Sequence, residues 1–598
     1  MSTAILTGQP VPGSSIEGDL RSLGFDVRTA TDAAEAETLL AEVPFEERVA
    51  LVDARFVGHV HALRLGLTDP RFPLAAIPGA VTAQPAGRQA LTRAMARENS
   101  AGGGTTLVDS LADRILTALD ADGTDVHRPE LGSLVAAVPA DPQARNEARQ
   151  AVSDVDDEAV RLKSAVKSRD GFFTTYCVSP YSRYIARWCA RRGLTPNQVT
   201  TASLLTALIA AACAATGTRG GFVAAGVLLI ASFVLDCTDG QLARYSLQYS
   251  TLGAWLDATF DRAKEYAYYA GLALGAARGG DDVWALALGA MVLQTCRHVV
   301  DFSFNEANHD ATANTSPTAA LSDKLDSVGW TVWVRRMIVL PIGERWAMIA
   351  VLTALTTPRI TFYALLIGCA FAATYTTAGR VLRSLTRKAQ RTDRAAGALA
   401  DLTDSGPLAE LVSRLRSPRG KILPYTPVIV AAIGAALLLV NTASRGAGGA
   451  ALTAPFYVVF AGCALMQPLK GPLDWLVPPL FRAAEYCTIL LLAAKADVNG
   501  ALPAAFGLVA AVAYHHYDTV YRIRGNAGAS PAWLVRSIGG HEGRTLLVTV
   551  LAALLTASQF TVALTALAVA VALVVLVESI RFWVSAGAPA VHDEGEPA

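Results

Sequence analysis

Two apolar stretches of the chain are joined by the sequence DCTDGQLARYSLQYSTLGAWLDATFD, which occupies residues 236–261. The apolar runs that overlap its two ends, 221–243 and 253–275, are each near the ~20 residues that a helix needs to cross the hydrocarbon core of a bilayer. Ionisable side chains at that depth are costly, and they persist where they are paired, solvated or bound to a ligand. The four aspartates of this stretch therefore predict a membrane protein with a functional site.

The composition of the whole chain agrees with a membrane fold. Of 598 residues, 52% are apolar and only 17% are charged, against ~25% charged residues in soluble domains. This balance excludes intrinsic disorder, a collagen-like repeat and a coiled coil as the main architecture. Lys+Arg and Asp+Glu are equal at 51 each, so the net charge gives no sign of nucleic acid as a partner.

Twelve apolar runs are long enough to be membrane helices, and they fall into two sets of six. The first set lies near residues 199–218, 221–243, 253–275, 282–303, 333–355 and 360–379, and the second near 425–441, 453–467, 476–494, 501–520, 543–558 and 560–582. Basic residues gather in alternate loops, for example Arg191 before the first run and Arg383 after the sixth. The positive-inside rule then places these loops and both termini in the cytosol, for a multi-pass protein of the cell membrane.

The residues before the first run have the pattern of a small α/β domain. Short apolar strand candidates at 49–56 and 73–81 alternate with Ala-rich helical stretches at 30–41 and 87–97. The predicted fold is thus a multi-pass α-helical membrane protein of two six-helix bundles, preceded by a small soluble α/β domain. The predicted boundaries are 1–165 for the cytosolic domain, 166–395 for the first membrane domain, 396–424 for a basic linker, 425–585 for the second membrane domain and 586–598 for a disordered tail.

The two sets of runs also resemble each other in sequence. The segment from Trp255 to Tyr266 aligns with the segment from Trp475 to Tyr486, and His298-x2-Asp301 aligns with His515-x2-Asp518. Gly343-Glu344-Arg345 has a looser match in the segment from Gly540 to Arg544. Three matches in the same order favour a tandem duplication. Val477 and Phe481 stand where the first copy has Asp257 and Asp261, which predicts a catalytically inactive second copy.

The spacing of the four aspartates predicts a metal centre. Asp236 and Asp239 are three residues apart and Asp257 and Asp261 are four apart, so each pair projects from one face of its helix. Two such faces would bring four carboxylates together with no matched cation nearby, and divalent metal ions would relieve their repulsion. Carboxylate oxygens suit Mg²⁺ or Mn²⁺, and Mg²⁺ often binds the phosphates of a substrate as well.

The residues around the acids are suited to a phosphorylated ligand. Gly240, Ala243 and Gly253 are small, so a polyphosphate can approach the backbone closely. Arg244, one turn after Gly240, offers a planar fork for phosphate oxygens. The alternative interpretation is a solvated helix end with incidental acids.

The complete pattern resembles the signature of the CDP-alcohol phosphotransferases. It reads Asp236-x2-Asp239-Gly240-x2-Ala243-Arg244-x8-Gly253-x3-Asp257-x3-Asp261, without a departure, and the resemblance covers roughly residues 160–390. It implies six membrane helices, a homodimer, and transfer of a phosphoalkyl group from a CDP-linked donor to an alcohol with release of CMP. The implied pathway is phospholipid or polyol-phosphate biosynthesis.

The resemblance also implies a role for each residue of the signature. The four aspartates would bind one or two divalent metal ions, and Asp261 would also act as general base on the acceptor hydroxyl. The CDP moiety would contact Gly240, Ala243, Arg244 and Gly253, together with Asn197 and Thr200 at the start of the first membrane helix. The amphipathic stretch 181–192 would lie on the cytosolic interface.

Two upstream segments look most like members that use inositol-phosphate-type acceptors: Lys167-x2-Asp170-Gly171 and Ser179-Pro180-Tyr181-Ser182-Arg183. In bifunctional relatives of this kind a nucleotidyltransferase domain precedes the membrane part. Residues 1–165 lack that enzyme's Gly-rich nucleotide loop, so the resemblance implies a degenerate nucleotidyltransferase-like remnant.

Candidate residues for a phosphorylated acceptor are polar groups near the cytosolic helix ends: Ser182, Arg183, Arg297, His298, Arg336 and Arg345. Arginines bind phosphate well. However, His298 and Arg345 have counterparts in the copy that lacks the acids, so helix-end packing is an equal alternative for them. The donor remains open between CDP-diacylglycerol and a soluble CDP-polyol.

Two other functions compete with this prediction. An intramembrane prenyltransferase also binds a diphosphate through metals on Asp-rich helices, but it lacks the extension from Gly240 to Arg244. A catalytically inactive membrane scaffold would explain the second copy, but it would not explain why the first copy keeps all of its acids.

Overall fold

The computed structural model describes residues 2–9, 11–100, 110–167, 170–309, 311, 337–386, 389–415, 424–525 and 527–585. Arg336 and the predicted tail 586–598 lie outside these residues. The chain divides into two compact units. The first contains Met1–Ser168, Tyr181–Pro196 and Thr238–Ser250, and the second contains Arg169–Pro180, Asn197–Cys237 and Thr251–Ala598.

A five-stranded mixed sheet forms the centre of the first unit. Its strand order is Phe25–Ala30, Ser2–Thr7, Arg48–Asp53, Ala80–Ala83 and Leu74–Ile77. The first three strands are parallel to one another, and Ala80–Ala83 pairs antiparallel with both of its neighbours. The central strands are apolar along both faces, as expected where helices cover both sides of a sheet. A separate pair of short strands, Val57–Gly58 and Ala136–Ala137, lies outside this sheet.

The predicted strand at 73–81 is in fact a hairpin of two strands. Gly79 lies between them with φ of +77°, a conformation that glycine adopts at little cost. The predicted helices are present with slightly different bounds, as Ala33–Glu42 and Arg88–Ser100. The other α-helices before the membrane region are Ile16–Ser22, Val60–Leu67, Leu111–Ala121, Pro142–Ser153 and Asp157–Ser164.

Helices occupy all six runs of the first predicted set. A short π-helical turn, Thr174–Val178, leads into the amphipathic helix Ser179–Arg191. The helices that follow are Pro196–Ala215, Arg219–Ser246, Thr251–Arg278, Trp284–Asn308, Ile342–Leu355 and Pro358–Thr386. The predicted start of the fifth run, 333–336, lies outside the described residues.

The second set is helical at each predicted run as well. The first two runs form one continuous segment, Thr426–Ala464, that is broken at Gly446, where φ is +63°. The remaining helices are Val477–Ala496, Ala501–Arg524, the short Ala532–Ser537, Gly540–Leu554 and Ala557–Ser585. Two further helices, Asp393–Leu402 and Pro407–Ser413, occupy part of the stretch predicted as a linker.

The described residues contain six helices that are long and apolar enough to cross a membrane, so the protein is a multi-pass membrane protein. They are Pro196–Ala215, Arg219–Ser246, Pro358–Thr386, Thr426–Ala464, Asp474–Ala496 and Ala557–Ser585. Their surroundings agree, because large aliphatic side chains on these helices point outward: Ile367 is 71% exposed, Val562 69% and Val440 64%. An apolar surface of this kind is suited to lipid.

Candidate functional site

Three of the four predicted aspartates converge. Asp236 lies on the helix Arg219–Ser246, and Asp257 and Asp261 lie on the helix Thr251–Arg278. Carboxylate oxygens of the three residues lie within 4.8 Å of one another. Asp239 follows Asp236 by three residues on the same helix, and its side chain is buried. A set of carboxylates at this separation fits a hard divalent cation such as Mg²⁺ or Mn²⁺.

A lysine that was not predicted from the spacing of the aspartates lies among these acids. The Lys264 ammonium contacts Asp236 Oδ1 and lies 2.9 Å from Asp261 Oδ1. The expectation that the acids have no matched cation nearby was therefore wrong. The signal was present in the sequence, because Lys264 is three residues after Asp261 and so shares its helix face.

The residues predicted to contact CDP lie at the ends of their helices. In the first unit, Arg244 Nε donates a hydrogen bond to the Ala165 carbonyl oxygen at 2.6 Å. A Cβ atom added to Gly240 would lie 3.5 Å from Arg244 Nη1, so the guanidinium lies beside the Gly240 backbone. Ala243 is one residue before Arg244, and Gly253 lies in the first turn of the next helix, Thr251–Arg278. Asn197 and Thr200 lie in the first turn of Pro196–Ala215, with Thr200 buried.

The N-terminal domain holds the connection that follows Arg244. Arg64 Nη2 donates to the Ser246 carbonyl oxygen at 2.7 Å, and Arg161 Nε donates to the Tyr245 carbonyl oxygen at 2.9 Å. Burial and the nearby charge of Arg161 lower the pKa of Arg64 to about 10. The backbone between the two aspartate-bearing helices is thus anchored to the N-terminal α/β domain.

The predicted acceptor residues on the amphipathic helix already have protein partners. Ser182 is fully buried, and its hydroxyl donates to Gln241 Oε1 at 2.7 Å. Arg183 places its guanidinium carbon 5.1 Å from the centre of the Tyr184 ring. These contacts support a structural role for both residues. Arg336 lies outside the described residues.

The remaining candidates lie in the second unit, where Arg297 and Arg345 are buried and His298 is partly buried. Arg297 donates to the Val339 carbonyl oxygen, and Arg345 Nε lies 3.1 Å from Glu265 Oε1. His298 contacts the Tyr517 hydroxyl through Nδ1, and this nitrogen is 3.5 Å from Arg262 Nη1.

Arg262 and Glu265 complete this group, and neither was among the site residues predicted from the sequence. Arg262 Nη1 donates to Glu265 Oε2 at 2.8 Å, so Arg262 and Arg345 share the single carboxylate of Glu265. Arg262 also lies 5.2 Å from the centre of the Tyr517 ring. The available signal was the repeat, because Arg262 and Glu265 align with Arg482 and Glu485.

The same arrangement occurs in the second membrane region. Arg482 Nη1 donates to Glu485 Oε2 at 3.2 Å, and Arg544 Nε donates to Glu485 Oε1 at 2.6 Å. Here a second carboxylate, Asp404, also contacts both arginines, at 3.1 Å from Arg482 and 2.7 Å from Arg544, and it accepts a contact from His515 at 3.1 Å. Burial by itself would raise the pKa of Asp404. The charges of the two arginines have the larger combined effect and hold this pKa well below its usual range.

The second region has an apolar core where the first has its acids. Val477 and Phe481 are fully buried, and the Phe481 ring stacks on His541 with ring centres 4.3 Å apart. No carboxylate is present at these two positions to bind a metal ion.

Comparison with known families gives two matches along the chain. The CDP-alcohol phosphatidyltransferase family matches residues 193–377, and a family of unknown function, DUF5941, matches residues 393–598. The second match begins with the helix Asp393–Leu402 and includes the whole second membrane region.

The similar curated proteins include enzymes of inositol lipid synthesis. A phosphatidylinositol phosphate synthase of Streptomyces avermitilis is 35% identical over 131 residues, which cover 21% of this chain and 51% of that protein. An archaetidylinositol phosphate synthase of Pyrococcus horikoshii is 31% identical over 113 residues, 19% of this chain and 58% of that protein. A bifunctional IPC transferase and DIPP synthase of Aquifex aeolicus is 32% identical over 114 residues, 19% of this chain and 26% of that protein.

The chain thus spans about half of the length of two of these relatives and a quarter of the third. The segment matched by the CDP-alcohol phosphatidyltransferase family, residues 193–377, includes the complete aspartate pattern and the two helices that bring Asp236, Asp257 and Asp261 together. Residues 193–377 of this chain are therefore a CDP-alcohol phosphatidyltransferase domain.

Proposed function

We propose that this protein transfers a phosphoalkyl group of the phosphatidyl type from a CDP-linked donor to an alcohol, with release of CMP. The convergence of Asp236, Asp257 and Asp261 at membrane-helix ends carries the proposal. Such a cluster is costly in a membrane unless it has a functional partner. The intact extension from Gly240 to Arg244 and the family match both disfavour a prenyltransferase or an inactive scaffold.

The aspartates would hold the metal, and Asp239 would join them because it is three residues after Asp236 on one helix. When bound, Mg²⁺ or Mn²⁺ would neutralise the diphosphate of the donor and the CMP leaving group. Asp261 would accept the proton of the acceptor hydroxyl as the new P–O bond forms. Gly240, Ala243, Arg244, Gly253, Asn197 and Thr200 would contact CDP.

The acceptor is proposed to be an alcohol that carries a phosphate, as in inositol-phosphate-type acceptors. Arg262 and Arg345 share one carboxylate, whereas their counterparts Arg482 and Arg544 share two. The additional carboxylate, Asp404, is an anion held by two arginines and a histidine. By analogy, Arg262, Arg345 and His298 would hold the phosphate of the acceptor. Arg297 and Arg336 are proposed to lie near it.

The catalytic part of the proposal is tested by Asp261→Asn in purified protein with Mn²⁺, a CDP-linked donor and a panel of alcohols with and without phosphate. Loss of a general base typically lowers the rate by about 10²–10⁴-fold, and we expect CMP release to fall in that range. Asp281→Asn is the matched control, because Asp281 is a half-exposed aspartate paired with Arg359. Undiminished CMP release by Asp261→Asn would refute the role of Asp261 as base.

We also propose that the second membrane region is a degenerate six-helix repeat that replaces the partner of a homodimer. The fourth helix of the first set, Trp284–Asn308, packs on the third and fourth helices of the second set, Val477–Ala496 and Ala501–Arg524. The reciprocal contact is also present, between Thr251–Arg278 and Ala501–Arg524. Reciprocal contacts of equivalent elements are typical of a two-fold interface.

The topology and the N-terminal domain complete the proposal. Basic residues in alternate loops support cytosolic termini. The helix Ser179–Arg191 exposes Tyr181, Tyr184 and Trp188, aromatic side chains that favour a membrane interface. Residues 1–165 are proposed to be a nucleotidyltransferase-like remnant that now anchors the connection after Arg244.

A further inference from the structure

Lys264 is, within the part of the chain that the structure describes, the only fully buried lysine. It lies on the helix Thr251–Arg278, one turn after Asp261. The family match does not explain its presence, because it is outside the aspartate pattern. Its position among the acids therefore requires a separate explanation.

The ammonium of Lys264 has a complete set of partners. It contacts Asp236 Oδ1, lies 2.9 Å from Asp261 Oδ1, and donates to Ser203 Oγ at 3.2 Å. Ser203 is fixed in turn, because its hydroxyl donates to the Ser232 carbonyl oxygen at 2.8 Å. Three helices thus contribute to one cation site.

These contacts make Lys264 a permanent part of the cluster. A buried ammonium that loses its carboxylates becomes an uncompensated charge, which is strongly destabilising. The Trp346 ring, 5.6 Å from Nζ, closes another side of the site. The lysine side chain is therefore enclosed by its partners and fully buried.

The charges and ligand atoms of the aspartate cluster indicate how many metal ions can bind beside Lys264. The three converging aspartates, Asp236, Asp257 and Asp261, carry three negative charges, and the Lys264 ammonium leaves two of these for one divalent ion to balance. Lys264 supplies one positive charge and uses one oxygen of Asp236 and one of Asp261. Each of the three aspartates offers one oxygen within 4.8 Å of the others, which is sufficient for one divalent ion. Two ions would have to share these oxygens at close range with an ammonium.

We propose that the Lys264 ammonium takes the place of a second metal ion, so that the aspartate cluster binds a single divalent cation. This inference rests on the proposed function for the role of the metal, but the number of bound ions is measured without catalysis. It predicts a mononuclear centre in the native protein and a dinuclear centre once the lysine charge is removed.

The experiment uses the full-length protein in detergent, titrated with Mn²⁺. Bound Mn²⁺ is counted by equilibrium dialysis, and electron paramagnetic resonance distinguishes an isolated ion from two ions ~3.5–4 Å apart, which are spin-coupled. We expect one isolated Mn²⁺ per chain in the native protein. Lys264→Met should bind two coupled ions, whereas Lys264→Arg, which keeps the charge, should bind one.

Lys495→Met is the matched control, because Lys495 is exposed on another helix, and it should bind one Mn²⁺. Size exclusion establishes that each variant is folded, and Lys264→Gln replaces Lys264→Met if the latter aggregates. Two coupled ions in the native protein, or no increase in the lysine-to-neutral variants, would overturn the inference.

The failure of this inference can be distinguished from failure of the proposed function. CMP release with two bound Mn²⁺ ions would overturn the role of Lys264 and leave the transferase activity intact. One isolated Mn²⁺ without CMP release from any donor would support Lys264 and count against the transferase. Absence of any bound Mn²⁺ would overturn both.

Discussion

A single carboxylate distinguishes the two ion networks of the membrane region. In the first, Arg262 and Arg345 share Glu265, and in the second, Arg482 and Arg544 share Glu485 and Asp404. Among the described residues the first network has no counterpart of Asp404, and under the proposed function an external anion would take that place, whereas the second network is neutralised by the chain itself. This difference is the reason that only the first network is proposed to bind an acceptor.

Arg345→Met should weaken acceptor binding and spare the donor. A hydrogen bond to a charged group is worth ~1.5–3 kcal/mol, so we expect the KM for a phosphorylated acceptor to rise about 10–100-fold. The KM for the CDP-linked donor should change little, because Arg345 is outside the predicted CDP contacts. Arg359→Met, which alters an exposed arginine paired with Asp281, serves as control. An equal rise in both KM values would contradict the assignment.

Asp404→Asn should convert the second network into an anion site. Removing one partner of a buried ion pair costs ~3–5 kcal/mol, so the variant should unfold at a lower temperature. Added phosphate should restore part of this loss, because Arg482, Arg544 and His515 then face a vacant anion position. Thermal unfolding in phosphate and in chloride of equal ionic strength measures the effect. As a control, Asn at the exposed position Asp401 (Asp401→Asn) should show no phosphate dependence. If Asp404→Asn shows none either, the interpretation is wrong.

At the scale of elements, the connection between the two aspartate-bearing helices is held from outside the membrane. Arg64, on the helix Val60–Leu67, and Arg161, on the helix Asp157–Ser164, both bind backbone carbonyls at the end of Arg219–Ser246. Arg71 also lies over the Tyr249 ring, at 4.1 Å. The N-terminal α/β domain thus contacts the end of this helix and the loop that joins the two halves of the aspartate pattern.

Acidification should loosen the helix Val60–Leu67. Burial, with the charges of Arg161 and Arg64, lowers the pKa of His61 from 6.5 to about 4, and neither ring nitrogen has a hydrogen-bond partner among the described residues. Between these two pH values the unfolded helix binds a proton and the folded helix does not, so stability falls as the pH drops from 6.5 towards 4. The maximum loss is about 3 kcal/mol.

Hydrogen exchange of the full-length protein at neutral and acidic pH measures this effect. Peptides of the helix Val60–Leu67, corrected for the intrinsic exchange rate, should lose protection as the pH falls. His61→Leu should remove the dependence, because leucine does not titrate. The same loss of protection in both proteins would show that another group is responsible.

At the scale of the whole molecule, the two membrane regions pack as equivalent halves. Aromatic contacts line their boundary, including Trp284 with Phe506 at 5.6 Å and Phe304 with Trp475 at 5.2 Å between ring centres. Tyr517 of the second region reaches His298 and Arg262 of the first. The second region thus contributes directly to the surroundings of the proposed acceptor site.

If the second membrane region replaces a dimer partner, as proposed, the full-length protein should be a single chain in detergent. Native mass spectrometry should report one copy, and Phe506→Arg, which places a charge in this boundary, should lower the unfolding temperature. Leu554→Arg on the exposed face is the control, with little expected effect in detergent. A stable dimer cross-linked through Thr251–Arg278 and Trp284–Asn308 would contradict the replacement of a partner.

The sequence by itself determined the membrane character, the α/β class of the N-terminal domain and the aspartate pattern. These features are local, since helix length, strand alternation and the three- and four-residue spacings of acids follow from the periodicity of each element. The hairpin at Gly79 and the helices within the predicted linker were missed, because short turns and short helices depend on contacts with their neighbours.

Only the tertiary structure decided which charges neutralise each other. Lys264 shares a helix face with Asp261, but its contact with Asp236 depends on how two helices pack. Likewise, Asp404 reaches Arg482 and Arg544 across more than 70 and 130 residues of chain, a separation that no local spacing encodes. In a medium of low dielectric constant each buried charge must find a partner, and the packing of distant helices determines which partner is within reach.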